Sequence, residues 1–258
     1  MTTYALLGAT GSTGSAILRR LLSQTPANLT LNIFVRSRSK LIDAFPELEG
    51  KTPLTAVNIF EGTPHDSAVL QACLQDADVI MACIASNYSS PTITLCHDTA
   101  AAIISALRHR QKTQGTEYRS PTVIQIRSAS LNPTLCATMP WMAKTMAAYC
   151  FYYVYEDLRE ACKLYESAPG LLEFIYVDPP SIHDPDGISP TGYELTIDGP
   201  QSEALSYADL GAAFVELAAR RGEFVGKAVG VSATGKVNLT VGKLLPFVAT
   251  GLKSRLWG

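Results

Sequence analysis

Residues 4–15 read YALLGATGSTGS, and residues 16–22 continue AILRRLL. A short apolar run enters a glycine-rich turn, and apolar side chains at helical spacing leave it. Gly8, Gly11 and Gly14 stand three residues apart. In a strand–turn–helix unit the first glycine permits the tight turn, the second lets a pyrophosphate approach the backbone, and the third lets the helix pack on the strand. The stretch therefore predicts a dinucleotide-phosphate site, although three glycines also occur in loops that bind nothing.

The composition suits one α/β domain. The chain has 258 residues, of which 47% are hydrophobic, and a formal net charge of −2. Nucleic acids and anionic membranes need a strongly basic face, so neither is an expected partner. No apolar run reaches the length of a membrane span, and the first strand begins too early to leave room for a signal peptide. Six scattered cysteines lack metal-ligand spacing, which predicts reduced thiols, no metal site and a cytoplasmic location.

Strands and helices alternate after the glycine turn. Apolar runs predict strands, which lie at residues 29–35, 54–60, 78–85, 122–127, 172–177 and 193–197. Helices are predicted over 68–74, over 95–110, from Trp141 to 159 and within 241–257, the last as a candidate contact in a homodimer. The alternation predicts a doubly wound parallel sheet, the α/β Rossmann architecture. Residues 1–258 would form a single domain, with a small C-terminal substrate-covering lobe made mainly by residues 179–205 and 235–258.

A basic run follows the second predicted strand, where a dinucleotide fold holds the adenosine ribose. Arg36, Arg38 and Lys40 lie there with Ser37 and without an acidic residue. Guanidinium groups bind phosphate oxygens in a bidentate manner, so the run favours NADPH over NADH. The alternative is a solvated surface segment without a ligand.

Further cofactor contacts are expected where strands end, because ligands of open parallel sheets bind beyond the carboxyl ends of the strands. Asp66 could receive the adenine amino group, or it could cap the helix that follows it. The other candidates are Gly8, Thr10, Gly11, Ser12, Thr13, Gly14, Ala85, Ser86, Asn87, Ser128 and Pro179. The convergence of separate segments at one edge of the sheet supports a cofactor site over a chance spacing of glycines.

These motifs resemble the short-chain dehydrogenase/reductase superfamily. The closer likeness is to its atypical NmrA-like branch, which includes NADPH-dependent reductases of secondary metabolism and cofactor-sensing regulators. The matching segments are the glycine turn, Glu61-Gly62 with Asp66, residues 77–79, the Ser206-x-x-Asp209 helix start and residues 222–227. The segment 128–133 and the tyrosine-rich helix are similar to oxidoreductases of fungal polyketide pathways. The resemblance implies a Rossmann fold, an NADPH cofactor and a small aromatic or polyketide-like substrate.

In this superfamily a strand-end serine and a Tyr-x-x-x-Lys pair carry the proton that accompanies hydride transfer. Ser128 and Ser130 occupy the strand end here, but no tyrosine of the following helix has a lysine four residues later. Helical spacing places Tyr149, Tyr152 and Tyr153 on one face. One acidic residue lies one helical turn after Tyr152, and another, Asp157, lies one turn after Tyr153. Tyr155 instead precedes Arg159 by one turn and points away from Tyr153.

The predicted catalytic residues are therefore Ser128, Ser130, Tyr149, Tyr152, Tyr153 and Asp157. An acid beside a phenol suits an acid/base shuttle on a phenolic or enolic substrate. The alternative is that the aromatic stripe is only core packing.

We interpret the chain as an NADPH-dependent oxidoreductase that acts on a small aromatic or polyketide-like carbonyl or phenolic substrate. Two other functions stay open at this point. The missing Tyr-x-x-x-Lys favours a redox-neutral isomerase, dehydratase or cyclase on the same scaffold. A cofactor-sensing regulator without catalysis is the second, and it would need no cluster of polar side chains in the cleft. In the loop after the sixth strand, His183 is either a proton carrier at the rim or an ordinary surface histidine.

Overall fold

The computed structural model describes residues 2–24, 28–50, 52–184, 186–240, 242 and 245–257. Its strands are β1 Thr2–Leu7, β2 Leu29–Val35, β3 Ala56–Glu61, β4 Val79–Ala82, β5 Thr122–Ile126, β6 Glu173–Val177, β7 Ser181–His183, β8 Tyr193–Thr196, β9 Ala204–Ser206 and β10 Ala228–Ala233. Its helices are α1 Ser12–Ser23, α2 Arg38–Ala44, α3 Ser67–Leu74, α4 Leu95–Gln114, α5 Trp141–Cys150, α6 Tyr152–Glu166, α7 Tyr207–Ala219, α8 Arg221–Phe224 and α9 Leu245–Trp257.

Within the described part of the chain, eight strands form one sheet in the order β3-β2-β1-β4-β5-β6-β10-β8. Its neighbouring strands are parallel except for β8, which runs antiparallel to β10 at the edge. Helices cover both faces, so the predicted doubly wound Rossmann fold is confirmed. The strand predicted near 193–197 is present, and it extends this main sheet by pairing with β10.

Alternate residues of β1 divide the core into two layers, as the two-residue period of a strand requires. Tyr4 and Leu6 face the layer that α1 and α7 build, whereas Ala5 and Leu7 face the layer of α3, α4 and α6. All four side chains are buried. A strand buried on both faces reads as a continuous apolar run, and this is why the run before the glycine turn marks the centre of the sheet.

Two segments near the carboxyl edge of the sheet differ from the prediction. The sequence predicts a loop after β6, but residues 181–183 form β7, which pairs in parallel with β9 in a two-stranded sheet. The single helix expected from Trp141 to residue 159 is two helices, because the backbone leaves helical geometry at Phe151 (φ −102°, ψ 17°). The closing helix begins at Leu245; residues 241, 243 and 244 of that prediction lie outside the described residues.

Candidate active site

The glycine turn joins β1 to α1, and two of its three glycines are required by the fold itself. Gly8 has φ +93°, which favours glycine, and a Cβ there would lie 3.0 Å from the carbonyl oxygen of Cys83. A Cβ on Gly14 would lie only 2.2 Å from the carbonyl oxygen of Gly8. Gly11 differs, because a Cβ there would meet only the Gly8 oxygen, at 3.4 Å. Nothing within the fold demands a glycine at position 11, which suits a backbone that a ligand must approach closely.

The N-terminus of α1 beside Gly11 is open to an anion. No side chain caps this helix, and its first turn contains no acidic residue. The first backbone N–H groups of a helix have no partner inside the helix and lie at the positive end of its dipole. Ser12 and Thr13 follow Gly11 there, whereas the Ser15 hydroxyl is already used, since it donates to the carbonyl oxygen of Ser12 at 3.1 Å. The arrangement fits a pyrophosphate.

The end of β2 presents the predicted basic run to solvent. Arg36, Arg38 and Lys40 are exposed, and none of the three forms an ion pair with any residue that the structure describes. Ser37 caps α2 by accepting the backbone N–H of Lys40 at 3.2 Å. The cations therefore remain available to an anionic ligand.

Asp66 is turned back towards the preceding loop. Its carboxylate accepts the backbone N–H of Thr63 at 2.7 Å and the Thr63 hydroxyl at 2.8 Å. These bonds lower the pKa of the Asp66 carboxyl. Asp66 occupies the N-cap position of α3, yet its side chain makes no capping hydrogen bond to the helix. The alternative that this side chain caps α3 is therefore wrong.

A cavity of about 510 Å³ opens at the carboxyl edge of the sheet. Nine of the predicted residues line it, and these are Gly11, Ser12, Thr13, Ala85, Ser86, Asn87, Ser128, Ser130 and Pro179. The structure thus brings the ends of β1, β4, β5 and β6 together. The remaining cofactor candidates do not line this cavity: Gly8, Thr10, Gly14, Arg36, Ser37, Arg38, Lys40 and Asp66. Apolar side chains close its other side, among them Met139, Met146, Phe151, Val154, Phe247 and Val248.

Tyr155 is the tyrosine of α6 that lines the cavity, and the sequence did not single it out. The Ser128 hydroxyl donates to the Tyr155 phenol oxygen at 3.4 Å and accepts the backbone N–H of Ser130 at 3.3 Å. The Tyr155 proton is thereby left for a group in the cavity. The sequence feature that could have identified Tyr155 is Arg159. Among the tyrosines of residues 149–155, only Tyr155 has a basic residue four positions later. Arg159, however, pairs with Glu156 and does not line the cavity.

Tyr149, Tyr152 and Tyr153 do not line the cavity, so the expectation that their face looks into the cleft is wrong. Their rings surround the guanidinium of Arg255 on α9, with ring centroids at 5.1, 4.3 and 5.6 Å from its central carbon. Arginine above aromatic faces is a favourable cation–π arrangement. The three tyrosines, one on α5 and two on α6, thereby hold α9 against these two helices.

Asp157 does not face the cavity either, which corrects the predicted Tyr153–Asp157 pair. Its side chain is buried, and its two oxygens accept the backbone N–H groups of Cys96 at 2.8 Å and His97 at 2.9 Å. A carboxylate at these first N–H groups satisfies unpaired donors and the positive end of the α4 dipole. Asp157 therefore joins α6 to α4.

Arg127, which lines the cavity next to Ser128 in the sequence, forms an ion pair with the buried Asp178. Arg127 donates to the two carboxylate oxygens of Asp178 at 2.8 and 2.6 Å, and its guanidinium lies 4.1 Å from the centroid of the Tyr176 ring. Burial raises the pKa of the Asp178 carboxyl, and the hydrogen bonds from Arg127 and Asn132 oppose that rise. The pair fixes the ends of β5 and β6 side by side. It also accounts for an aspartate at position 178, where a bidentate partner for Arg127 is needed.

The fold and this cavity define a Rossmann protein that binds a nicotinamide dinucleotide, and the chain belongs to the NAD(P)H-binding family, whose model matches residues 8–221. Curated relatives give a narrower placement. Averufin oxidase A of Aspergillus flavus is 48% identical over 99% of this chain and 91% of the relative. An averufin oxidase of Emericella nidulans is 45% identical over 97% of this chain and 89% of the relative. With these relatives and that family, the chain is an oxidoreductase.

Solved structures agree on the fold. A short-chain dehydrogenase/reductase of Veillonella parvula in complex with NADP superposes with a TM-score of 0.62 at 18% identity, over 91% of this chain and 95% of that one. The anaerobillin reductase ChuY of Escherichia coli superposes with a TM-score of 0.63 at 16% identity, over 92% of this chain and 100% of that one. None of the helices in the described ranges has the length and apolar character needed to cross a membrane.

Proposed function

We propose that this oxidoreductase uses NADP(H) to oxidise or reduce an aromatic polyketide, with averufin or a close analogue as substrate. The observation that carries the proposal is the cavity, which joins the glycine turn to the Ser128–Tyr155 pair under an apolar cover. The relatives named averufin oxidase supply the substrate class.

The residues of the chain fit this cofactor. Gly11 leaves room at the open N-terminus of α1 for the pyrophosphate, and Ser12 and Thr13 add hydroxyl groups. Arg36 and Arg38 are the groups we assign to a 2′-phosphate, because they are exposed and free of carboxylate partners among the described residues. A nicotinamide bound in the cavity supplies the hydride-transfer chemistry.

The proton chemistry is assigned to Tyr155. In the reductive direction its phenol gives a proton to the carbonyl oxygen of the substrate; in the oxidative direction its oxygen takes the proton from the alcohol. The Ser128 hydroxyl, which donates to the Tyr155 oxygen, stabilises the charge that forms when the proton leaves. Ser130 lines the cavity beside them, and its hydroxyl is assigned a substrate contact. These roles replace the Tyr149, Tyr152, Tyr153 and Asp157 shuttle.

Apolar side chains favour a flat aromatic substrate. Met139, Met146 and Phe151 lie on the α5 side of the cavity, and Phe247 lies on α9, where its ring meets the edge of Tyr88 with centroids 5.1 Å apart. Methionine and phenylalanine side chains make favourable contacts with aromatic rings. A polar acyclic substrate would leave this side of the cavity unmatched.

The test is turnover of averufin by the purified protein. Averufin is incubated with NADP⁺ and, separately, with NADPH, while absorbance at 340 nm follows the cofactor and mass spectrometry follows the product. We expect a change of two mass units in the substrate, matched mole for mole by the cofactor. A product of unchanged mass with no cofactor turnover would replace the proposal by the redox-neutral reaction.

Cellular location and assembly complete the proposal. All six cysteines are free thiols, as a reducing cytoplasm would keep them, so we propose a cytoplasmic location.

Exposed apolar side chains on α5 and α9 suit the contact of a homodimer, and we assign to it Trp141, Met142 and Leu256. Sedimentation equilibrium should give twice the 27.7 kDa mass of one chain. A monomer at micromolar concentration would remove this part of the proposal.

A further inference from the structure

A hydrogen-bonded chain of three residues stands behind the wall of the cavity. The backbone N–H of Thr240 donates to Nδ1 of His183 at 2.9 Å, and Nε2 of the same ring lies 3.0 Å from the Ser181 hydroxyl oxygen. His183 is buried, and Ser181 is half-buried and lines the cavity. His183 is therefore not the surface residue or rim proton carrier considered from the sequence.

The direction of these bonds follows from the first of them. A backbone N–H can only donate, so Nδ1 of His183 must carry a lone pair. The neutral ring then carries its single proton on Nε2, and that proton is donated to the Ser181 oxygen. Burial lowers the pKa of His183, which keeps the ring neutral.

The Ser181 hydroxyl consequently has a proton to give. Its oxygen accepts from His183, and the structure shows no acceptor for its own O–H within the described ranges. Ser181 lines the same cavity as Ser128 and Tyr155, and its segment is joined to the serine loop, since the carbonyl of Pro179 accepts the backbone N–H of Ala129 at 2.9 Å. Ala129 stands between Ser128 and Ser130. The Ser181 hydroxyl is thus a donor in the wall of this cavity, together with Pro180 and Ile182.

We propose that Ser181 is a substrate-binding residue whose hydroxyl donates to a carbonyl oxygen of the aromatic substrate, and that His183 is the positioning residue that holds this hydroxyl as a donor. The inference rests on the proposed function, since it requires an aromatic substrate that carries such an oxygen. It adds a recognition contact that is separate from the proton transfer by Tyr155. A hydroxyl fixed in this way selects oxygenated rings over plain aromatic hydrocarbons of the same shape.

Two probes of matched shape and charge test the contact. Anthraquinone-2-sulfonate carries two ring carbonyls, and anthracene-2-sulfonate carries none. Their dissociation constants are measured by fluorescence titration of the full-length protein with NADP⁺ present. We expect Ser181→Ala to weaken binding of the quinone about 3- to 10-fold, the range of one hydrogen bond, and to leave the hydrocarbon within about 2-fold.

The role of His183 is tested by comparing the loss of quinone affinity in single and double variants, and by asking whether glutamine at position 183 restores that affinity. His183→Leu should weaken quinone binding as much as Ser181→Ala does, and the double variant should be no weaker than either single variant. His183→Gln keeps an N–H for the Ser181 oxygen and should restore most of the affinity. If His183→Leu does not fold, Ser181→Ala and His183→Gln decide the matter. Losses that add in the double variant, or a glutamine variant as weak as the alanine variant of Ser181, would overturn the positioning role.

The outcomes separate this inference from the proposed function. A quinone that binds Ser181→Ala as tightly as it binds the wild type refutes the contact and leaves the aromatic substrate in place. A wild-type protein that binds both probes equally also refutes it. A wild-type protein that binds neither probe contradicts the proposed substrate class, and this inference falls with it.

Discussion

Replacement of Gly11 by valine should weaken NADP⁺ binding strongly while it changes the stability of the fold only slightly. Gly11 has φ −81° and ψ 163°, an extended conformation that a β-branched residue adopts readily. The nearest atom to a Cβ there is the Gly8 oxygen at 3.4 Å. Gly11 is also the N-cap of α1, where valine is less favourable than glycine, so the free energy of unfolding should fall by no more than about 1 kcal/mol. The branched side chain would occupy the space where the pyrophosphate approaches, so we expect NADP⁺ affinity to fall about 100-fold or more, equivalent to about 2.8 kcal/mol.

Gly14→Ala is the matched control, with a smaller side chain three residues further along. Its Cβ would lie 2.2 Å from the Gly8 oxygen, and neither backbone can move without disturbing the β1–α1 contact. We expect a loss of about 3 kcal/mol in the free energy of unfolding, the upper range for overpacking. Urea denaturation measures stability, and isothermal titration calorimetry measures NADP⁺ binding. A folded Gly11→Val protein with wild-type affinity would refute the assignment of the pyrophosphate to this turn.

Three further predictions follow from the site. The wild type should bind NADPH about 10-fold more tightly than NADH, and Arg36→Ala or Arg38→Ala should reduce that ratio; equal dissociation constants in the wild type would contradict the 2′-phosphate assignment. Tyr155→Phe should lower kcat about 100-fold without weakening NADPH binding, whereas Tyr153→Phe should change kcat less than about 2-fold; the reverse ranking would return the proton to Tyr153. Asp157→Asn should lower the free energy of unfolding by about 2 kcal/mol in urea titrations while kcat per folded molecule is kept; lost turnover at full stability would make Asp157 catalytic.

The sheet and the glycine turn were predictable because their signals are local. An apolar run followed by glycines at fixed spacing, and then by a helical apolar pattern, specifies one supersecondary unit. The bounds of β2 were predicted without error at Leu29–Val35. The parallel order then brings the strand ends to one edge, so that Ser86 and Ser128 could be placed together without knowledge of the tertiary structure.

The orientation of the tyrosines was not predictable, because it depends on contacts distant in sequence. Tyr153 and Tyr155 lie on different faces of α6, as the helical spacing predicted, but the spacing does not tell which of the two faces meets the cavity. Arg255 on α9, about 100 residues away, makes cation–π contacts with the rings of the other three tyrosines and so keeps them out of the cavity. Asp157 likewise binds backbone groups 60 and 61 residues earlier. No pattern within the helix itself reports such partners.

The most direct measurement is a crystal structure of the protein with NADP⁺ and averufin bound. The pyrophosphate should lie on the backbone at Gly11, and the nicotinamide ring should lie in the cavity. A substrate oxygen should be within hydrogen-bond distance of the Tyr155 phenol, about 3 Å. A nicotinamide that lies outside the cavity, or a substrate oxygen held by Tyr149, Tyr152 or Tyr153 instead of Tyr155, would contradict the account.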